Sequence, residues 1–217
     1  MAALKHLRSF NLSATFYVLA CNATEYPDTL KAIVSEGHML AVHGYDHLAL
    51  NQIGRMEVMR EVYGSWAVLE MLTGKRLRHY RPAYGTLDRF GILENSDFSL
   101  DYWTVGTSDY QHRLDAQKYS TAEERLDYVS REIISTIRRE LEAVTFWDRV
   151  AVGPIHLQHD IHYLSANSLP AVLGELTKLA RKNGWRFVRM DECTGVPESF
   201  PKSSADASRP ALGGASG

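Results

Sequence analysis

The residues best suited to chemistry are histidines and carboxylates gathered in four short stretches of the 217-residue chain. The first is His43-Gly44-Tyr45-Asp46-His47. Two imidazoles four residues apart meet on one side of a helical turn and can hold a borderline metal such as zinc. No H-E-x-x-H is present, which excludes the metalloprotease arrangement. The competing reading is two polar loop histidines. The second stretch is Tyr80-Arg81-Pro82-Ala83-Tyr84-Gly85. Arg-Pro forces the arginine to be extended, and Tyr-Gly makes a tight turn whose exposed N–H can stabilise an oxyanion. An ordinary surface turn carries the same pattern. The third, Trp103 to Tyr110, is a strand running into a polar loop that holds Asp109, a residue type that also caps helices. The fourth runs from Val152 to His162 and includes His156, Leu157, Gln158, His159 and Asp160. Strand alternation sends His156 and His159 to opposite faces, so three metal ligands from this segment alone are not expected. A single histidine at a strand end, beside a carboxylate that fixes its tautomer, suits a general acid.

A framework of alternating strands and helices must position these groups. The chain opens on a short amphipathic helix, Met1 to Phe10, with Leu4, Leu7 and Phe10 at helical spacing. No long apolar stretch follows it, so it does not read as a signal peptide. A buried strand is expected over 14–20, a helix over 26–36 and a strand over 38–42. A long helix is expected over 55–73, closed by Gly74, then an extended segment over 79–82 and a helix over 86–95. A strand over 99–105 and the longest helix, 121–143, come next; Leu126, Val129, Ile133, Ile137 and Leu141 form its apolar stripe. A strand over 150–157, a helix over 169–183 and a last strand over 185–190 complete the order. The alternation predicts an α/β protein with a mainly parallel sheet, and about six units suit a barrel with its active site at the C-terminal strand ends. Residues 1–198 read as one domain, and 199–217, made of Pro, Ser, Ala and Gly among others, as a disordered tail. No internal repeat is seen. Because the chain begins midway through a helix–strand unit, a strand is expected upstream of it.

Composition removes several classes. Lys and Arg number 24 against 26 Asp and Glu, a net charge of −2, which excludes a generally basic nucleic-acid binder. No apolar run approaches the roughly 18–20 residues that span a bilayer. The two cysteines, Cys21 and Cys193, exclude a disulfide-stapled miniprotein and a four-cysteine zinc site; their pairing stays open. Asn11-Leu-Ser13 and Asn22-Ala-Thr24 are glycosylation sequons compatible with a secreted setting.

In order and spacing the four stretches resemble the polysaccharide deacetylases of the NodB-homology type, carbohydrate esterase family 4. Glu36-Gly-His and His43-Gly-Tyr-Asp-His47 resemble the family's second motif, H-[ST]-x-x-H. Arg81-Pro-Ala-Tyr-Gly85 resembles the third, R-P-P-Y-G; Thr107-Ser-Asp-Tyr110 the fourth; Leu157-Gln-His159 the fifth, L-x-H. Ala14 to Val18 and Gly184 to Cys193 are similar to segments of fungal chitin deacetylases, the nearest branch on this reading. The resemblance implies a distorted (β/α) barrel and metal-dependent removal of N-acetyl groups from an N-acetylglucosamine polymer such as chitin, by a monomer. It assigns His43 and His47 to a divalent metal, usually zinc. The Tyr84 N–H would hold the oxyanion, and His159 would protonate the leaving amine with Asp109 setting its pKa. Leu157 and Tyr110 would shape the acetyl pocket, and Arg81 would pair with the base. Gly44 stands where the family has Ser or Thr, Ala83 for a proline and Tyr110 for a tryptophan. The first motif, T-F-D-D-G, with the base and third metal ligand, is expected upstream, which makes this chain read as a truncated deacetylase. Two other classes remain. One is a catalytically dead carbohydrate-binding relative whose groove is lined by Tyr45, Tyr84, Trp103 and Tyr110. The other, a serine esterase, lacks any G-x-S-x-G elbow.

Overall fold

In a computed structural model, which describes residues 2–147 and 153–200, parallel strands alternate with helices as the hydrophobic periodicity demands. Contacts divide the chain into two compact units. One holds Thr15–Val34, Met39–Leu100 and the segment from Met190; the other holds the residues up to Ala14, Ser35–His38 and Asp101–Arg189.

The first of these units is built on a four-stranded parallel sheet in the order β1 (Thr15–Val18), β2 (Met39–Val42), β3 (His79–Tyr80), β4 (Ser99–Leu100). The run Met39-Leu-Ala-Val42 is buried along its whole length, as an apolar strand covered on both faces must be. After β1 come α2 (Ala20–Glu25), which the sequence reading missed, and α3 (Pro27–Ser35). The long helix expected over 55–73 has those limits, but it comprises α4 (Arg55–Met59), a π turn (Arg60–Gly64) and α5 (Ser65–Thr73). Gly74 ends it at φ +67, a left-handed conformation that glycine adopts without steric cost. A short helix, α9 (Met190–Thr194), occupies the end of the expected last strand. Beyond it the Phe200 N–H donates to the Arg76 carbonyl and Ser199 bridges Leu77. The rest of the expected tail, 201–217, lies outside the described residues.

The other unit contains α1 (Ala2–Ser9), with Ala3, Leu4 and Leu7 buried, and the paired strands β5 (Val105–Gly106) and β6 (His156–Leu157). Between them lie α6 (Asp109–Asp115) and α7 (Ala122–Trp147); α8 (Tyr163–Asn183) follows. The predicted α7 stripe is its core: Val129, Ile133 and Ile137 are sealed against Val105, Ala116 and Val172.

Four expectations are corrected. Residues 86–95 form a turn instead of a helix, because the Asp88 carboxylate accepts the N–H groups of Phe90, Ile92 and Leu93. The strand over 99–105 is two short strands in different sheets. The strand over 150–157 is paired only at His156–Leu157, while 148–152 lie outside the described residues. Residues 185–189 form no strand: the Trp185 N–H closes α8 on the Ala180 carbonyl, and its ring packs on the α7–α8 core. In addition α8 starts at Tyr163, six residues before its expected start, and carries Pro170 inside it.

Candidate active site

Chemistry-bearing residues lie at the C-terminal ends of the strands in both sheets, where parallel α/β proteins place their sites. In the four-stranded unit, β2 ends in the His43–His47 loop. Its backbone is pinned by donation from His43 N–H to Val18 O, Ala20 N–H to Gly44 O and Cys21 N–H to Tyr45 O. The two imidazoles meet edge to face with ring centroids 4.9 Å apart. His43 Nδ1 lies 2.7 Å from the Arg81 carbonyl, which can only accept, so Nδ1 carries the proton. A neutral imidazole protonated at Nδ1 presents its lone pair at Nε2, the form that ligates a metal. Gly44 lies at φ +93, and a Cβ there would stand 2.7 Å from Glu61 Oε2.

Past β3, Arg81 is buried with its guanidinium 3.7 Å from the centre of the Tyr17 ring. Tyr84 sits at φ +57 and is 67% exposed, its ring 4.7 Å from that of His47. The hydrogen bonds of this turn come from the Gly85 and Thr86 N–H groups, so that of Tyr84 is not spent on it.

In the other unit Asp109 and His159 form a pair. Asp109 Oδ1 accepts from His159 Nδ1 at 2.8 Å and from the Thr107 hydroxyl at 2.8 Å. Its Oδ2 accepts from the His159 backbone N–H at 3.0 Å and from the Ser165 hydroxyl. The carboxyl is fully buried, and burial alone would raise its pKa. Donation from His159 and Ser165, attraction to the imidazole and donation from Thr107 reverse this and bring it down to about 2. The bond to Asp109 fixes the His159 ring with Nε2 as its working nitrogen. Tyr110 stands edge-on to that ring at 6.0 Å and is 53% exposed; Leu157 is half-buried on β6. His156 does not join the pair. Burial pushes its imidazole down to about 4, and its Nδ1 is sealed with no hydrogen-bond partner among the described residues.

The sequence reading missed Glu61 and Ser165. Glu61 is one of several charged residues in a long helix, and Ser165 precedes the expected start of its helix, so neither carried a signal. Backbone strain marks the site independently. Of four non-glycine residues with positive φ among those described, three are His47, Tyr84 and Ser108, the last adjoining Asp109. Such conformations persist where the surroundings enforce them, and they cluster at functional sites.

Whether the residues fit a metal follows from the loop. Two imidazoles converge, and the hydrogen bond from His43 to Arg81 is the kind of support that metal-bound histidines receive. They fit as two ligands of a site that ordinarily takes three from the protein. Among the described residues no group of three His, Cys, Asp or Glu side chains is placed to hold an ion.

Residues 1–103 match the sequence model of the polysaccharide deacetylase family. A peptidoglycan-N-acetylglucosamine deacetylase of Listeria monocytogenes is 27% identical over 94% of this chain, which spans 37% of that relative's length. Chitin deacetylase 1 of Saccharomyces cerevisiae is 30% identical over 51% of this chain and 36% of its own. Among solved structures, the Bc1960 peptidoglycan N-acetylglucosamine deacetylase superposes with a TM-score of 0.70 at 22% identity, over 92% of this chain and 83% of that one. A CE4 family pseudoenzyme from Bacillus anthracis gives 0.66 at 18% identity, over 88% of this chain and 59% of that one. These likenesses establish the NodB-like α/β fold. With the family pattern in residues 1–103, they make the chain similar to the polysaccharide deacetylases of carbohydrate esterase family 4.

Proposed function

We propose that the protein is a metal-dependent hydrolase that removes N-acetyl groups from an N-acetylglucosamine polymer. The observation that carries this reading is a shared arrangement of two histidines. His43 and His159 each have Nδ1 held by an acceptor, a carbonyl and a carboxylate respectively, which reserves Nε2 for the reaction. His43 and His47 would hold a divalent cation, zinc by the family's habit. Bound there, it would polarise the acetamide carbonyl and acidify water. The Tyr84 N–H would donate to the oxygen that gains charge as the carbonyl carbon becomes tetrahedral. Protonated His159 would give its Nε2 proton to the leaving amine, since expulsion of an unprotonated amide nitrogen is unfavourable. Asp109 would hold that imidazole in orientation and stabilise its charged form. Arg81 would orient His43 through its carbonyl, while Leu157 and Tyr110 would offer the apolar contacts an acetyl methyl seeks. The names of the relatives, peptidoglycan and chitin deacetylases, support the polymer class.

Acetate release from N-acetylglucosamine oligomers tests the proposal. Release that stops on chelation and returns with added zinc is the expected result; release indifferent to chelation sinks it. A second reading, a carbohydrate-binding relative without catalysis, draws on the absence of a third ligand among the described residues and on the exposure of Tyr84 and Tyr110. Chelator-insensitive binding to chitin with no acetate released would favour it.

A further inference from the structure

Between α4 and α5 the backbone widens into the π turn Arg60–Gly64. Single-turn expansions of this kind are rare in helices and concentrate at functional sites. Two consecutive side chains of this turn, Arg60 and Glu61, reach the His43–His47 loop. Glu61 is 1% exposed. Its Oε2 accepts the Tyr45 N–H at 3.0 Å and its Oε1 the Asp46 N–H at 2.9 Å. Arg60 pairs with the Asp46 carboxylate and lies over the Tyr45 ring at 4.5 Å. A Cβ on Gly44 would stand 2.7 Å from Glu61 Oε2, so Gly44 lies against the same carboxylate. Every residue between the two imidazoles therefore abuts this turn.

We propose that Glu61, presented by the π turn, is a positioning residue that sets the spacing of His43 and His47 for a shared divalent cation. The inference rests on reading that pair as metal ligands. A carboxylate engaged at both oxygens by adjacent N–H groups fixes the peptide planes of Tyr45 and Asp46. Those planes lead directly into His47, whose φ of +63 a non-glycine residue keeps only when its surroundings hold it there. Arg60 adds a second grip on the same two residues from the solvent side.

The test compares the 217-residue chain with its E61Q variant, which keeps the shape but turns one acceptor into an amide NH2 facing a backbone N–H. Amide hydrogen exchange is read without metal, and Co2+ affinity is read from visible absorption. In E61Q the Tyr45 and Asp46 amides should exchange about tenfold faster or more, with β2 unchanged, and cobalt affinity should fall about 10–100-fold. Unchanged exchange overturns the proposal. Faster exchange with unaltered cobalt affinity also overturns it, leaving Glu61 a structural residue. A parent chain that takes up no cobalt defeats the metal reading of the pair, and with it the role given to Glu61; the exchange data then report the tether alone. R60Q, at an exposed position, serves if E61Q does not fold. It should lower cobalt affinity about threefold, and an unchanged value overturns the proposal.

Discussion

Asp109 shows how one buried group can serve stability and chemistry together. Four donors converge on its two oxygens, so its charge is held where isolated burial would forbid it. The folded pKa, about 2, lies below the ordinary aspartate value. A depressed carboxyl contributes stability that is fully present above the unfolded pKa near 4 and is lost as pH falls through the folded value. Asp109→Asn should therefore cost about 2 kcal/mol at pH 7, from the size of that shift. The gap between variant and parent should narrow as pH falls from about 4 towards 2. Urea unfolding at pH 7 and pH 3 reads both; equal losses at the two values would refute the charge argument. His156 runs the other way. Burial lowers its folded pKa to about 4, so the unfolded chain binds the extra proton between about 4 and 6.5 and acid in that window favours unfolding. His156→Gln should flatten the dependence of the urea midpoint on pH there, and an unchanged slope would show that another group titrates. At this scale the sequence displayed His43, His47, Asp109 and His159, because reactive residue types stand out in short polar stretches. It hid Ser165 and Glu61, because a serine or glutamate in a helix is unremarkable until a tertiary partner is known.

The elements that read correctly are those whose burial pattern is one-sided and long. The α7 stripe at 3.6-residue spacing and the wholly apolar β2 were legible because packing acts on them in the same direction as local preference. Ile133 has no exposed surface in the α7 cluster, so Ile133→Ala should cost about 2–5 kcal/mol, read by urea unfolding. The stretch 86–95 misled because a single carboxylate overrides its periodicity. Asp88 offers its oxygens to three backbone donors, which would otherwise have had to find partners along a helix. Burial raises the Asp88 carboxyl, but those N–H groups outweigh it and leave the pKa below its ordinary value. Asp88→Ala strands the donors of Ile92 and Leu93 in buried surroundings, at a cost of about 1–3 kcal/mol. A loss of only a few tenths of a kcal/mol on thermal or urea unfolding would show that the turn is held by packing instead. The last expected strand failed for a related reason: the C-terminal cap of α8 uses the Trp185 N–H before any ladder can. The π turn had no sequence signature, since local propensity does not distinguish a widened turn from its helical neighbours.

For the molecule as a whole, fold class and the resemblance to the deacetylases were legible in the sequence because strand–helix alternation and ordered motifs survive low identity, whereas the partners of each motif do not. The proposed chemistry divides along the chain: the ligand histidines belong to one compact unit and the proton donor with its carboxylate to the other. In one, His43 is held by the Arg81 carbonyl; in the other, His159 is held by Asp109, which Thr107 and Ser165 hold in turn. Each part can therefore be disabled by a substitution that leaves those contacts of the other in place. His43→Ala should abolish both cobalt uptake and acetate release. His159→Gln should abolish acetate release while the chain still takes up cobalt, since the proposal gives His159 no place among the ligands. Cobalt titration and an acetate assay on the same two preparations decide the matter. A His159→Gln chain that loses cobalt as His43→Ala does would place His159 among the ligands and remove it as the acid. One that releases acetate at the parental rate would show that the amine leaves with a proton from elsewhere.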